Sequence, residues 1–223
     1  MNVLDHGYVN LVDHMGSDLS VVRSARVSVK AAWRAGQDEE SDAKLIRYLW
    51  KNKHTTPFES VTFTFEVYAP IFVFRQWHRH RTWSYNELSA RYRALNECFY
   101  LPSPEMVGEQ SVGNKQGRTT EDASRIEERK QEIEELRLTC EKAFGLYRRL
   151  LNSKWPRELA RSVLPVNTYS LMLGTVNLLN LLKFCTLRCD QHAQYEIRVY
   201  ADAMRELIRP HVPVCVAAWE GKE

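Results

Sequence analysis

Apolar and polar residues alternate from Val61 to Ala69, with Phe63, Phe65 and Val67 on one side and Thr62, Thr64, Glu66 and Tyr68 on the other. That is the period of a half-buried strand, and Pro70 closes it. Leu171 to Val176 predicts a second strand, and Tyr8 to Val12 a third. Elsewhere a helical period dominates. Ser17 or Asp18 can cap a helix running through Val27, and Glu39 or Ser41 starts another through Trp50. Asn177 to Cys189 and Ala193 to Arg209 predict two more, the second with Ile197, Tyr200, Met204 and Leu207 on one face.

The stretch from Thr120 to Leu151 is strongly charged. Ile126, Ile133, Leu136, Cys140, Ala143, Tyr147 and Leu151 still recur at three- and four-residue intervals, giving one long amphipathic helix. Such a helix suits a coiled-coil partner or packing on its own domain, and the second reading is favoured. Leu101 to Thr119, with Pro102, Pro104, Gly108, Gly113 and Gly117, reads as a long loop of the kind that covers sites. Few strands and many helices predict an α+β fold: an antiparallel sheet packed with helices, one of them long and amphipathic, in a single domain spanning residues 1–223.

Composition narrows the function classes. A net charge of +3 is too small for a nucleic-acid coat or a membrane-surface protein. No apolar run approaches membrane-spanning length and no signal peptide is evident, so a soluble, cytoplasmic protein is expected. The five cysteines, Cys98, Cys140, Cys185, Cys189 and Cys215, are scattered and odd in number, which fits a reducing compartment. Cys185, Cys189 and His192 lie close together, but a fourth ligand and a second cysteine pair are missing. They read better as small core residues than as structural zinc, and no metal is expected.

Local charge tells more than net charge. Arg75, Arg79, Arg81, Arg91 and Arg93 fall within nineteen residues that hold one acid, Glu87. Trp77, Trp83, Tyr85 and Tyr92 interleave with them, and Ser84, Asn86 and Ser89 add small hydrogen-bonding groups. A solvated arginine face would not need these aromatics. A planar, permanently charged guanidinium suits phosphate, and each charge-assisted bond contributes roughly 1.5–3 kcal/mol. Two or three such contacts supply roughly 5–9 kcal/mol before ordering costs, enough for a micromolar nucleotide site.

The stretch Arg79-His80-Arg81-Thr-Trp-Ser84-Tyr-Asn86-Glu87-Leu-Ser89-Ala-Arg91-Tyr92 also reads RHRxxSxNExSxRY, and so resembles the flavin-dependent thymidylate synthases. Three further blocks, in order, extend the resemblance over nearly the whole chain. They are His54-Thr-Thr56-Pro57-Phe58-Glu59, Ala160-Arg161-Ser-Val-Leu164-Pro165, and Leu187-Arg188-Cys-Asp190-Gln-His192-Ala193-Gln194-Tyr-Glu196-Ile197. Arg75-Gln76 matches the family's RQ pair.

The resemblance implies reductive methylation of dUMP at C5. Methylenetetrahydrofolate gives the carbon, FAD reduced by NADPH gives the electrons, and a homotetramer shares its active sites. It implies that Gln76, Ser89, Arg91 and, from another subunit, Arg161 grip the nucleotide phosphate and sugar. Arg79 and Glu87 are implied between nucleotide and flavin, and Arg188 faces the uracil ring as the catalytic cation. Thr56, His80, Arg81, Asn86 and Asn177 resemble the flavin set, and His54 and Tyr92 lie near the folate or nicotinamide position. Lys183 stands where the family usually has asparagine, and is expected to pair with a flavin phosphate.

Asn177 and Arg188 are eleven residues apart, so an unbroken helix would hold them on one face, about 16 Å apart. No cysteine sits in a context that suggests a nucleophile, and Ser89 has no paired base, which makes it a hydrogen-bonding group. Neither GxGxxG nor GxxxxGK[ST] is present, so FAD rests on the resemblance alone. The alternative is a single-stranded nucleic-acid binder, with the arginines on the backbone and Trp77, Trp83 and Tyr92 stacking bases.

Overall fold

The computed structural model describes residues 1–113, 117–120 and 122–222. Five strands are present: β1 (Asn2–Val3), β2 (Gly7–Met15), β3 (Thr62–Pro70), β4 (Ser84–Glu87) and β5 (Tyr169–Asn177). They form one antiparallel sheet in the order β1-β2-β3-β5-β4. The helices are α1 (Asp18–Arg26), α2 (Glu39–Lys51), α3 (Ile71–Trp77), α4 (Ile126–Asn152), α5 (Arg157–Ala160), α6 (Leu178–Arg188), α7 (Tyr195–Ile208) and α8 (Pro213–Glu220). The fold is α+β.

The alternation seen in the sequence decides which way the central strand faces. Phe63, Phe65, Val67 and Ala69 are fully buried, while Thr62, Thr64, Glu66 and Tyr68 are only partly covered. The buried row packs with Phe74, Trp77, Leu181, Leu182, Phe184, Ile197, Tyr200 and Met204 of α3, α6 and α7 in one apolar core. Burying side chains of this size contributes roughly 1.5–3 kcal/mol each. Pro70 closes the strand as expected: it is the last residue of β3 and pairs with Tyr169 at the end of the ladder, a position where a missing N–H costs little.

The predicted helices are present with shifted ends. The long helix starts at Ile126 rather than Thr120, because Asp122 accepts from the Ser124 N–H and caps a short 3₁₀ turn first. Glu121 in the predicted span lies outside the described residues. Cys140, Phe144 and Tyr147 of α4 are buried and join Ala160 in a second, smaller apolar cluster, but Leu136 on the predicted apolar face is 39% exposed. The predicted loop contains a 3₁₀ turn at Pro104–Met106 and a bridge between Gln110 and Arg118; its residues 114–116 lie outside the described set.

Five elements have no counterpart in the sequence reading: β1, α3, α5, α8 and β4. The last matters most, because it turns part of the arginine motif into an edge strand. Ser84 pairs with Thr175, Tyr85 with Gly174, Asn86 with Leu173 and Glu87 with Met172. Trp83, nearly buried, lies flat against Gly174, where a Cβ would meet the indole at 3.2 Å.

Candidate active site

The connection from α3 to β4 carries the centre of the motif, and aromatic packing fixes it. Trp77 at the end of α3 stacks on Phe184 of α6, with ring centroids 5.0 Å apart, and His80 meets the same ring edge-on at 4.8 Å. The Tyr85 hydroxyl lies 2.8 Å from the His80 carbonyl and 3.1 Å from that of Trp77, tying β4 back to the turn. Arg188 is one helical turn beyond Phe184, so it reaches the same place. Its Nε–H donates to His80 Nε2 at 3.0 Å, and its Nη2 donates to the Gln76 carbonyl at 3.4 Å.

Both partners of Arg188 are neutral. The guanidinium is half-buried, and burial pushes its pKa below the ordinary arginine value. Burial first, and the Arg188 charge second, lower the His80 pKa to about 4. His80 is therefore a neutral acceptor at pH 7, with its proton on Nδ1. A partly desolvated cation without a carboxylate is costly to a fold and useful to a site that must attract a developing anion. Arg188 lines a cleft of about 430 Å³ with Gln76, Thr186, Leu187, Asp190, His192, Ala193 and Gln194.

A second cleft of about 440 Å³ also borders α3. It gathers Arg75, His78, Glu87, Ser89 and Arg161 over a wall that includes Phe74, Leu164 and Pro165. Ser89 accepts the Arg91 backbone N–H on its hydroxyl at 3.3 Å. Arg91 points at Glu158 across an exposed gap of 3.4 Å, and the Arg161 Nε–H donates to the Glu158 carbonyl at 3.4 Å.

The charge pattern around these clefts differs from that of the rest of the surface. Along α4, Arg125, Arg129 and Arg137 each face a glutamate three residues away. Arg75, Arg79, Arg81 and Arg93 are exposed and meet no carboxylate among the described residues. Exposed guanidinium groups such as these are a donor set that fits a dinucleotide's diphosphate.

The expected residues are not all in one place. Gln76 and Arg188 share the first cleft; Glu87, Ser89 and Arg161 share the second. Asn177 does not lie on the helix face with Arg188: its backbone is extended and it caps α6, with Oδ1 accepting from the Asn180 N–H at 2.9 Å. The helix between them is unbroken. Lys183 is exposed on α6 and lines neither cleft. Thr56 is exposed at the start of a 3₁₀ turn (Thr56–Ser60), His54 sits edge-on to Tyr48, and Tyr92 is 82% exposed. In one chain these last three stand apart from Arg188's cleft.

Burial pushes the Cys98 and Cys215 thiols up, and Cys185, fully buried, is raised by its bond to Cys189 and by burial. His192 turns to Asp190 at 2.8 Å. Two residues went unassigned in the sequence reading although their block was recognised: Gln194, which lines the first cleft, and Glu196, buried behind it.

The chain is similar to known proteins over nearly its whole length. Residues 10–214 match the family model described as thymidylate synthase complementing protein. A flavin-dependent thymidylate synthase of Gluconobacter oxydans is 46% identical over 221 residues, 98% of this chain and 71% of that protein. One of Thermotoga neapolitana is 44% identical over 211 residues, 95% of this chain and 89% of its own length. The crystal structure of a UMP/dUMP methylase from Streptomyces cacaoi bound with 5-Br dUMP superposes with a TM-score of 0.88 at 37% identity. It covers 100% of this chain and 98% of that one. The chain belongs to the thymidylate synthase complementing protein family, the family of these flavin-dependent thymidylate synthases.

Proposed function

We propose that this chain methylates dUMP at C5 to give dTMP, with methylenetetrahydrofolate as one-carbon donor and NADPH-reduced FAD as reductant. The observation that carries the chemistry is Arg188, a half-buried cation held by two neutral acceptors at the wall of a cleft. Attack from C5 requires electron density on the pyrimidine. A fixed cation next to the ring supplies that bias by stabilising the anion formed when N3 loses its proton. Neutral His80 holds the guanidinium in place without cancelling its charge. The raised thiols of Cys98, Cys185 and Cys215 support activation without an enzyme thiolate.

The phosphate and sugar are gripped by Gln76, Arg79, Ser89, Arg91 and Arg161, with Glu87 nearby. FAD would be held by Thr56, Arg79, His80, Arg81, Asn86, Glu87, Asn177 and Lys183, and in its NADPH-reduced form would supply the reducing electrons for the methyl group. His54 and Tyr92 serve the folate or nicotinamide position. Because Gln76 and Arg188 lie in one cleft and Ser89 and Arg161 in another, the complete site joins the first cleft of one subunit to the second cleft of its neighbour in a homotetramer. Exposed Trp33, Trp155, Leu159 and Val166 support such burial between chains.

The test is an absorbance spectrum of the purified protein. A bound flavin gives a yellow protein that bleaches with NADPH, and dTMP accumulates when dUMP and methylenetetrahydrofolate are added. A colourless protein that makes no dTMP but binds oligonucleotides with a steep salt dependence would support the nucleic-acid alternative instead.

A further inference from the structure

Behind Gln76 runs a chain of polar contacts that ends on a buried carboxylate. Glu196 on α7 is 2% exposed. Its Oε1 accepts from the Tyr100 hydroxyl at 3.1 Å and from Arg118 Nη2 at 3.0 Å, and its Oε2 accepts from Gln194 Nε2 at 2.8 Å. Both oxygens of this carboxylate act as acceptors, one of them from a guanidinium.

That asymmetry propagates. Gln194 has to turn its NH₂ toward Glu196, which leaves its Oε1 facing the other way. This Oε1 accepts from Gln76 Nε2. Gln76 therefore commits its NH₂ to Gln194 and keeps Oε1 as an acceptor, at the wall of the cleft that Arg188 supplies with donors. An uncharged terminus would not impose this order, because a glutamine at the end of the chain can be turned either way.

We propose that Glu196 is a positioning residue: acting through Gln194, it sets the amide orientation of Gln76, so that Gln76 offers an acceptor to a hydroxyl or ring N–H of the bound nucleotide. Arg118 is the second half of the device, since its guanidinium occupies Oε1 and leaves Oε2 to Gln194. The inference rests on the nucleotide reading of the cleft given above.

The test is calorimetric titration of dUMP into the flavin-loaded protein, comparing the parent with Glu196→Gln, Gln76→Ala and the double variant. Loss of one oriented hydrogen bond predicts roughly tenfold weaker binding for Glu196→Gln. If Glu196 acts through Gln76, the double variant binds no worse than Gln76→Ala alone. Losses that add in full, or parent-like binding by Glu196→Gln, overturn the inference. Should circular dichroism show that Glu196→Gln does not fold, Gln194→Leu cuts the same chain while leaving the carboxylate, and has to show the same non-additivity with Gln76→Ala. A parent protein that binds no dUMP removes the nucleotide reading and this inference together; a parent that binds, with additive losses, removes this inference alone.

Discussion

Replacing Arg188 with methionine separates catalysis from folding. The side chain keeps much of its packing volume and loses its charge and both donors. In the parent, Arg188 contributes two charge-assisted bonds but also carries a desolvation cost with no carboxylate to offset it. These oppose each other, so the expected change in unfolding free energy is within about 1 kcal/mol. Transition-state charge has no such compensation: removing one preorganised donor typically costs about 10²–10³ in rate, or about 3–4 kcal/mol.

His80 provides an independent readout of the same contact. Two unit charges about 4 Å apart interact by about 1 kcal/mol in water and about 4 kcal/mol at an effective dielectric constant near 20. A half-buried pair falls between these limits. Removing the arginine should therefore raise the imidazole pKa from about 4 by roughly one to two units. It should remain below 6.5, because burial is the larger cause of the depression. Titration of His80 by NMR in the parent and in Arg188→Met measures this directly. An imidazole that already titrates near 6.5 in the parent, or that does not move on substitution, would refute the contact and the role built on it.

Acid should act through the same pair. The folded pKa of His80 lies below its ordinary value, so the unfolded chain takes the proton first; the stability carried by the contact is fully present above about pH 6.5 and is lost as pH falls toward about 4. Thermal melts across that range should show the fall, and show less of it in His80→Asn. Arg91→Ala should weaken dUMP binding roughly ten- to a hundredfold while moving stability by less than about 0.5 kcal/mol, since its ion pair with Glu158 is exposed; unchanged affinity in calorimetry would take Arg91 out of the phosphate grip. Lys183→Ala should release FAD more readily on dilution, and retention equal to the parent's would end its assignment to a flavin phosphate. Replacing all five cysteines by alanine or serine should leave turnover of the folded protein largely intact, and a well-folded but inactive variant would revive a thiolate mechanism.

What could be read from the sequence follows from where each constraint lies. β3 was legible because one face is buried and the other is not, so the alternation survives in the residue types. α3 was hidden: Ile71 to Trp77 is short, and its mostly apolar residues carry no clear period. β4 was hidden for the opposite reason. Ser84, Asn86 and Glu87 are exposed and polar, and their extended conformation comes from pairing with β5, some ninety residues away. The arginines of the site were visible as an unusual local composition. The Glu196–Gln194–Gln76 relay was not, because Gln76 and Gln194 are 118 positions apart and amide orientation is not a property of residue type. Asn177 misled for a local reason: helical spacing was extended one residue past the point where the backbone turns extended and the side chain becomes a cap.

The bare backbone at Gly174 has a consequence for the whole motif. The indole of Trp83 rests where any other residue would place a Cβ, at 3.2 Å, and Trp83 joins the turn carrying Arg79 and Arg81 to the first residue of β4. Even a methyl group there has to lift the ring by a few tenths of an ångström, and the displaced indole takes its anchored neighbours with it. Position 174 lines neither cleft, yet it acts as the gauge against which the cationic turn is levelled. An alanine at that position should therefore disturb flavin and nucleotide binding together, from the far side of the strand.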